Sequence, residues 1–417
     1  MMKHSNSNIY YSPKKIKKIL NQSIDFTLEG IQCFCHDPIS NFTRNRLLPA
    51  RILIDSILSF SNYSTASEMS HFFSDCTDMP STSAMCQRRQ LLDPAIFKRI
   101  NNLFVHSFAN YRTINGYYIL AQDGSDVNIP FMDDDTKVKS DGGGKPYCQY
   151  HVNALYDCLN HIFYDWSIDA STKKREADAL ISIINHKNYP QNSIFTADRG
   201  YENYNLLAYF IENNLKFAIR VKDIDTKSGI MTNIKTKNGT FDMNVTRILT
   251  RFQSKEIKAH KDKYVFVPTT SRFDFLGPTQ DFYELSFRIV RFKITDDTYE
   301  TIITNLSEDE FQLEDFKELY HYRWKEETAF NKVKYTMGLV YFHAKKRKLI
   351  QQEINATLLM YNVSEAVINI RLYLRNKLKE KELVSRIKKF LVPQRPERSF
   401  KRAIKPKSCK SLNYRTS

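Results

Sequence analysis

The sequence predicts an α/β protein, in which an α/β core is interrupted by a β-rich insertion, preceded by a helical N-terminal domain and followed by a basic C-terminal tail. Three observations predict it. Short apolar runs rich in β-branched and aromatic residues alternate with helical periodicity between residues 113 and 221. The clean alternation of Glu284-Leu-Ser-Phe-Arg-Ile289 marks half-buried antiparallel strands outside that core. Residues 371–417 hold 16 Lys and Arg against three Glu, so about +13 of the chain's net +16 lies there.

Residues 1–112 read as a helical domain. Leu47 to Phe60 carries apolar residues at mixed three and four spacing, and Pro80 to Leu92 offers a Ser/Thr N-cap followed by Arg88-Arg89. The second element has the shape either of a short DNA-reading helix, with Arg88 and Arg89 as its expected contacts, or of a solvated amphipathic helix. Residues 113–221 form the first part of the core. A strand from Tyr117 ends at Asp123-Gly124, two strands (148–156 and 161–168) flank a tight Asp157-Cys-Leu-Asn160 turn, and a helix covers 174–186. The strand Ser193 to Asp198, a helix through 204–211 and a strand at 217–221 complete it. Three strands, a crossover helix and a fourth strand form the RNase H-like order, which sets the carboxyl ends of parallel strands side by side. Residues 222–310 are the β-rich insertion, with strands at 241–249, 264–267, 282–294 and 299–306. Residues 311–370 form the second part of the core, with helices from 312 to 335 and from 349 onward, and residues 371–417 are the basic helix and tail.

The chemistry is carried by acids. Asp123 and Asp198 each follow a short apolar strand and stand beside or just before a glycine, in Asp123-Gly-Ser and Asp198-Arg-Gly-Tyr. On an α-helix, Tyr320, Arg323, Glu327 and Lys334 fall within a stripe about 60° wide. A core-facing helix would carry leucines there. A carboxylate among Tyr, Arg and Lys suits an acid that holds a divalent cation while its neighbours grip phosphates. Together with two strand-end carboxylates it makes the oxygen-rich pocket that hard Mg²⁺ requires.

The spacing Tyr320-x2-Arg323-x3-Glu327-x6-Lys334, with the two Asp boxes in order before it, resembles the signature of the insertion-sequence-4 family of DDE transposases, which cut and rejoin DNA with two Asp and one Glu. The resemblance extends over residues 115–345. It implies Asp123, Asp198 and Glu327 as catalytic and metal-binding residues, two Mg²⁺ ions for which Mn²⁺ substitutes, and in-line cleavage followed by strand transfer in a cut-and-paste reaction. Asp123 would bridge both ions, with Asp198 and Glu327 each completing one site. Arg323 and Lys334 would hold phosphates of the transferred end and Tyr320 its backbone. The implied partners are double-stranded DNA, as terminal inverted repeats and target, and a second protomer in a synaptic homodimer. Some members receive a flipped base on a tryptophan of the β insertion. Both tryptophans here, Trp166 and Trp324, lie outside it, so either an aromatic such as Phe266 or Tyr283 stands in or flipping is done differently, and Trp324 is expected to pack its helix against the sheet. Asp126 is expected in a loop. The alternatives are a structure-selective nuclease on the same scaffold and a non-catalytic DNA-binding descendant.

Composition agrees. At 417 residues with 42% hydrophobic and 26% charged residues the chain can bury more than one core, and its pI near 9.3 favours a polyanionic partner. No apolar run approaches a membrane span, so no membrane is expected and the protein is read as cytoplasmic, associated with a bacterial nucleoid. Seven scattered cysteines point to free thiols in a reducing compartment, and Cys33-Phe-Cys35-His36 lacks the second pair that a zinc finger needs.

Overall fold

The computed structural model describes residues 2–5, 11–44, 46–108, 111–139, 143–173, 175–224, 226, 228–277 and 281–374, with backbone only for 369–374. Five helices come first: α1 (Pro13–Glu29), α2 (Ala50–Ser59), α3 (Thr65–Phe72), α4 (Thr82–Gln90) and α5 (Ala95–His106). Ser12 caps α1 by accepting the Lys15 N–H, and Pro13 takes a first-turn position that needs no donor. Ser64 and Ser81 cap α3 and α4 in the same way. Ile16, Leu20 and Ile24 of α1 and Ile96, Ile100 and Phe104 of α5 turn inward at helical spacing. Full burial of each contributes about 1.5–3 kcal/mol. A two-residue ribbon pairs β1 (His4–Ser5) with β2 (Thr113–Ile114).

One ten-stranded sheet organises the rest. β3 (Tyr118–Ile129) runs antiparallel to β5 (Tyr147–Asp157), whose far edge takes both β4 (Lys137–Val138) and β6 (Ile162–Ala170). Helix α6 (Glu176–His186) then carries the chain to β7 (Ser193–Ala197), parallel to β3 on its other edge. After α7 (Tyr204–Glu212), β8 (Lys216–Val221) lies parallel to β7. The segment that follows supplies β9 (Phe241–Thr250), α8 (Lys255–Ala259), β10 (Tyr264–Phe266), β11 (Phe282–Lys293) and β12 (Tyr299–Thr304). Its strands extend the same sheet, because β12 pairs antiparallel with β8 and the order runs β10-β9-β11-β12-β8-β7-β3-β5. Helix α9 (Asp315–Asn331), a π turn over Lys332–Thr336 and α10 (Arg347–Leu374) complete the described chain.

The 28-residue α10 ties the helical segment to the sheet through buried amides. Trp166 Nε1 of β6 donates to Asn355 Oδ1 at 2.7 Å, and Asn362 receives the Phe163 N–H at 2.8 Å while donating to Asn101 Oδ1 of α5 at 2.7 Å. A buried ionic chain does the same nearby. Arg89 of α4 is fully buried, pairs with Glu353 at 2.7 Å and donates to the Leu349 carbonyl at 2.9 Å. The DNA contact expected of Arg89 is therefore corrected: a buried guanidinium needs an acid partner inside the fold, and it has one. Arg88 is half-buried, stacked over the Phe42 ring at 4.2 Å and bonded to the Leu48 carbonyl, so it too serves the helical packing. No helix among the described residues is long and apolar enough to cross a membrane. The basic tail beyond residue 374 lies outside the described residues.

Candidate active site

β3 pairs with β5 over ten positions, from Leu120↔Asp157 to Ile129↔Cys148, but with β7 only from Tyr118↔Ser193 to Gln122↔Ala197. Asp123 is the first residue of β3 beyond the end of β7, and Asp198 is the first residue after β7. The two acids therefore meet at one step in the sheet. The expectation that Gly124 ends the strand is corrected, since β5 continues the ladder and keeps β3 extended to Ile129. Gly124 has a different reason to be glycine. A Cβ there would lie 2.2 Å from His151 Nε2. Asp126, expected in a loop, consequently stands on β3 opposite His151.

Helix α9 brings Glu327 to the same step. Arg323, only 4% exposed, joins the acids: its guanidinium lies 3.1 Å from Glu327 Oε1 and 3.8 Å from Asp123 Oδ2. Its Nε donates to the Tyr320 hydroxyl at 3.0 Å, and Tyr320 is itself buried. Burial pushes the Asp123 carboxyl up to about 6. The Gly124 N–H and Arg323 oppose this, and the charges of Asp198 and Glu327 add to it. Asp198 accepts the Gly200 N–H at 2.8 Å, which closes the short turn Arg199–Tyr201.

Lys334 departs from the ideal stripe. Helix α9 ends at Asn331, and Lys334 sits on the π turn, whose wider winding shifts its phase. It is half-buried, with burial lowering its pKa and the nearby Asp126 charge opposing that. Trp324, expected to pack inward, is half-exposed beside Arg323, its ring 5.1 Å from the guanidinium. Tyr283 is buried with its hydroxyl donated to Glu212, whereas Phe266 is 40% exposed.

Sequence reading passed over three groups. Glu326 is fully buried next to Asp123, neither oxygen has a hydrogen-bond partner, and burial pushes its carboxyl well above the usual range. His151 and Glu176 form an ionic cluster with Asp126. A histidine inside the apolar strand run at 148–156 was the available signal.

Among the described residues no three His, Cys, Asp or Glu side chains stand together as a ready set of metal ligands. The cationic position between Asp123 and Glu327 is held by Arg323. Its oxygen neighbours are the Asp123 and Glu327 carboxylates and the Tyr320 hydroxyl, and the two carboxylates are of the type a hard divalent cation takes.

Residues 114–363 match the family described as Transposase DDE domain. No curated protein matches the chain. A solved structure described as a piggyBac transposase synaptic complex with hairpin DNA is similar at a TM-score of 0.44 and 12% identity, over 94% of this chain and 82% of that one. The family match spans more than half of the sequence and contains Asp123, Asp198 and Glu327, so the chain belongs to the transposase DDE domain family.

Proposed function

We propose that this DDE transposase is an insertion-sequence-4-type enzyme that cuts element ends and joins them to target DNA by cut-and-paste, with Asp123, Asp198 and Glu327 as its catalytic acids. The observation that supports the reading is that Asp123 and Glu327 share the Arg323 guanidinium, while Asp198 follows the strand beside Asp123 and its charge helps raise the Asp123 carboxyl. The strand order β6-β5-β3-β7-β8, with α6 as crossover, supports an RNase H-like core. DDE transposase domains use divalent ions; bound here, Mg²⁺ or Mn²⁺ would activate the attacking oxygen and neutralise the leaving one. Asp123, Asp198 and Glu327 would hold two such ions. Asp123, shared between the other two acids, would be their common ligand.

The remaining residues bind and orient. Arg323 already carries its charge beside the acids, and Tyr320 aims it. Lys334 supplies a second cation near Asp126 for the phosphates of the transferred end. Phe266 is the aromatic available for stacking on an extruded base, while the buried Tyr283 is not. The DNA partners are the terminal inverted repeats and the target, engaged by a homodimer of a nucleoid-associated protein.

Cleavage of a terminal-repeat duplex in Mg²⁺, beside gel-shift binding, tests the assignment. Asp123→Ala, Asp198→Ala and Glu327→Ala should each abolish cleavage and keep end binding, because affinity comes from phosphate contacts elsewhere. Parental cutting by any of the three would refute it.

A further inference from the structure

We propose that the buried His151, together with the partly exposed Asp126 and Glu176, is a clamp that positions Asp123 and Asp198 for cation binding. The inference rests on the acidic site just described.

His151 is 2% exposed and sits in β5 directly opposite Asp126 of β3. Its Nδ1 lies 2.6 Å from Asp126 Oδ1, and its Nε2 lies 3.3 Å from Glu176 Oε1 at the start of α6. Burial opposes an imidazolium, but Glu176 and Asp126 outweigh it and raise the His151 pKa. The ring also fills the space that a side chain at Gly124 would need, with its Nε2 at 2.2 Å from the ideal Cβ position. Gly200 is crowded less severely: a Cβ there would lie 3.0 Å from Asp198 Oδ1 and 3.2 Å from Glu176 Oε2.

The two glycines of the two acidic boxes are thus the points where the clamp touches them. His151 rests on the residue after Asp123. Glu176 rests on the turn that Asp198 caps, and the His151–Glu176 pair links one to the other across the step where β7 ends. On its other side Asp126 lies near Lys334. An apolar side chain in place of His151 would fill this space without the desolvation penalty of a buried imidazolium. What the cluster adds is direction at Asp126, hydrogen-bonded to Nδ1 at 2.6 Å, while Nε2 faces Glu176 at 3.3 Å as an ion pair without a hydrogen bond. Residues that orient metal ligands from behind typically change metal affinity by about 10–100-fold when lost.

Three variants test this: Glu176→Gln, which keeps the shape and removes the charge, His151→Phe, which keeps the ring and removes both nitrogens, and their combination. Mn²⁺ binding to the DNA-free full-length protein is read by calorimetry, and the Mg²⁺ concentration for half-maximal cleavage is read separately. Each single variant should lower Mn²⁺ affinity and raise the Mg²⁺ half-saturation by about tenfold or more, with cleavage at saturating Mg²⁺ within about threefold of the parent. The combination should do no more than the worse single variant, as for groups acting as a unit. Parental Mn²⁺ affinity and Mg²⁺ half-saturation in folded Glu176→Gln, with or without a lower melting temperature, would overturn the proposal, and that variant decides alone if His151→Phe does not fold. Failure of the site assignment reads differently: Asp123→Ala would then bind Mn²⁺ and cut like the parent.

Discussion

His343 offers a quantitative test of how the helical segment is fastened to the catalytic half. Its ring is buried between Glu353, 3.4 Å from Nδ1, and Glu68 of α3, 3.5 Å from Nε2, and lies against Phe60 at 4.5 Å between centroids. Burial alone would lower its pKa, but the two carboxylates prevail and raise it from 6.5 to about 9. A histidine whose folded pKa is raised contributes stability that is complete below the unfolded value and is lost as pH rises through the folded one. Here the window runs from about pH 6.5 to about pH 9. At 1.36 kcal/mol for each tenfold change in protonation, the full contribution is about 3 kcal/mol, of which about 2 kcal/mol disappears between pH 7 and pH 9. His343→Gln removes the titration and keeps a polar side chain. Urea unfolding of parent and variant across pH 6 to 10 should show the parent more stable at pH 7, with the gap closing by about 2 kcal/mol at pH 9. Taking the difference cancels titrations shared by both proteins. A gap that stays constant or widens with pH would refute the ionic account of this joint.

Other outcomes follow from the site. Arg323→Ala should lower the Mg²⁺ needed for cleavage, because the guanidinium competes for the position between Asp123 and Glu327, while weakening capture of the cleaved end; a strongly raised Mg²⁺ requirement would contradict this. Lys334→Ala should weaken end capture by about 1.5–3 kcal/mol with parental Mg²⁺ dependence, as read by gel shift and metal titration. Since Asp123 must be ionised to bind a cation and burial lifts its carboxyl to about 6, calorimetric Mn²⁺ affinity should fall as pH drops from 8 through 6, and a flat profile would contradict the assignment. Deleting residues 393–417, which lie outside the described residues, should flatten the slope of log K against log salt by about 3.6 if four of its cations meet phosphates; parallel lines would exclude such contacts.

Legibility in the sequence followed the range of the interactions. Helix and strand positions were readable within a few residues, because capping serines, periodicity and turn residues act locally: α4 follows Ser81, and the β5–β6 turn falls on Asp157 to Asn160. The three acids proposed as catalytic could be named from the sequence because each sits in a short motif. What escaped depends on partners far along the chain. Arg89 looks like a surface cation until Glu353 is brought against it. β3 looks finished at Gly124 until β5 continues the ladder. Trp324 looks like a packing residue, yet its place on α9 faces outward beside Arg323. His151 and Glu176 carry no motif at all, and only the closeness of Gly124 and Gly200 to them gives both glycines a second meaning.

The pairing of β12 with β8 has a mechanical consequence. The seam from Thr301↔Val221 to Thr304↔Ala218 joins the outer strands to β8 and, through it, to β7, which Asp198 follows, and β3, which carries Asp123. Sliding the rim against the strands bearing the acids would tear main-chain hydrogen bonds whose loss, if left unmade, is expensive. Among the described residues the rim and the strands bearing the acids thus share one continuous ladder, so a load on the rim is carried toward the acids through main-chain hydrogen bonds.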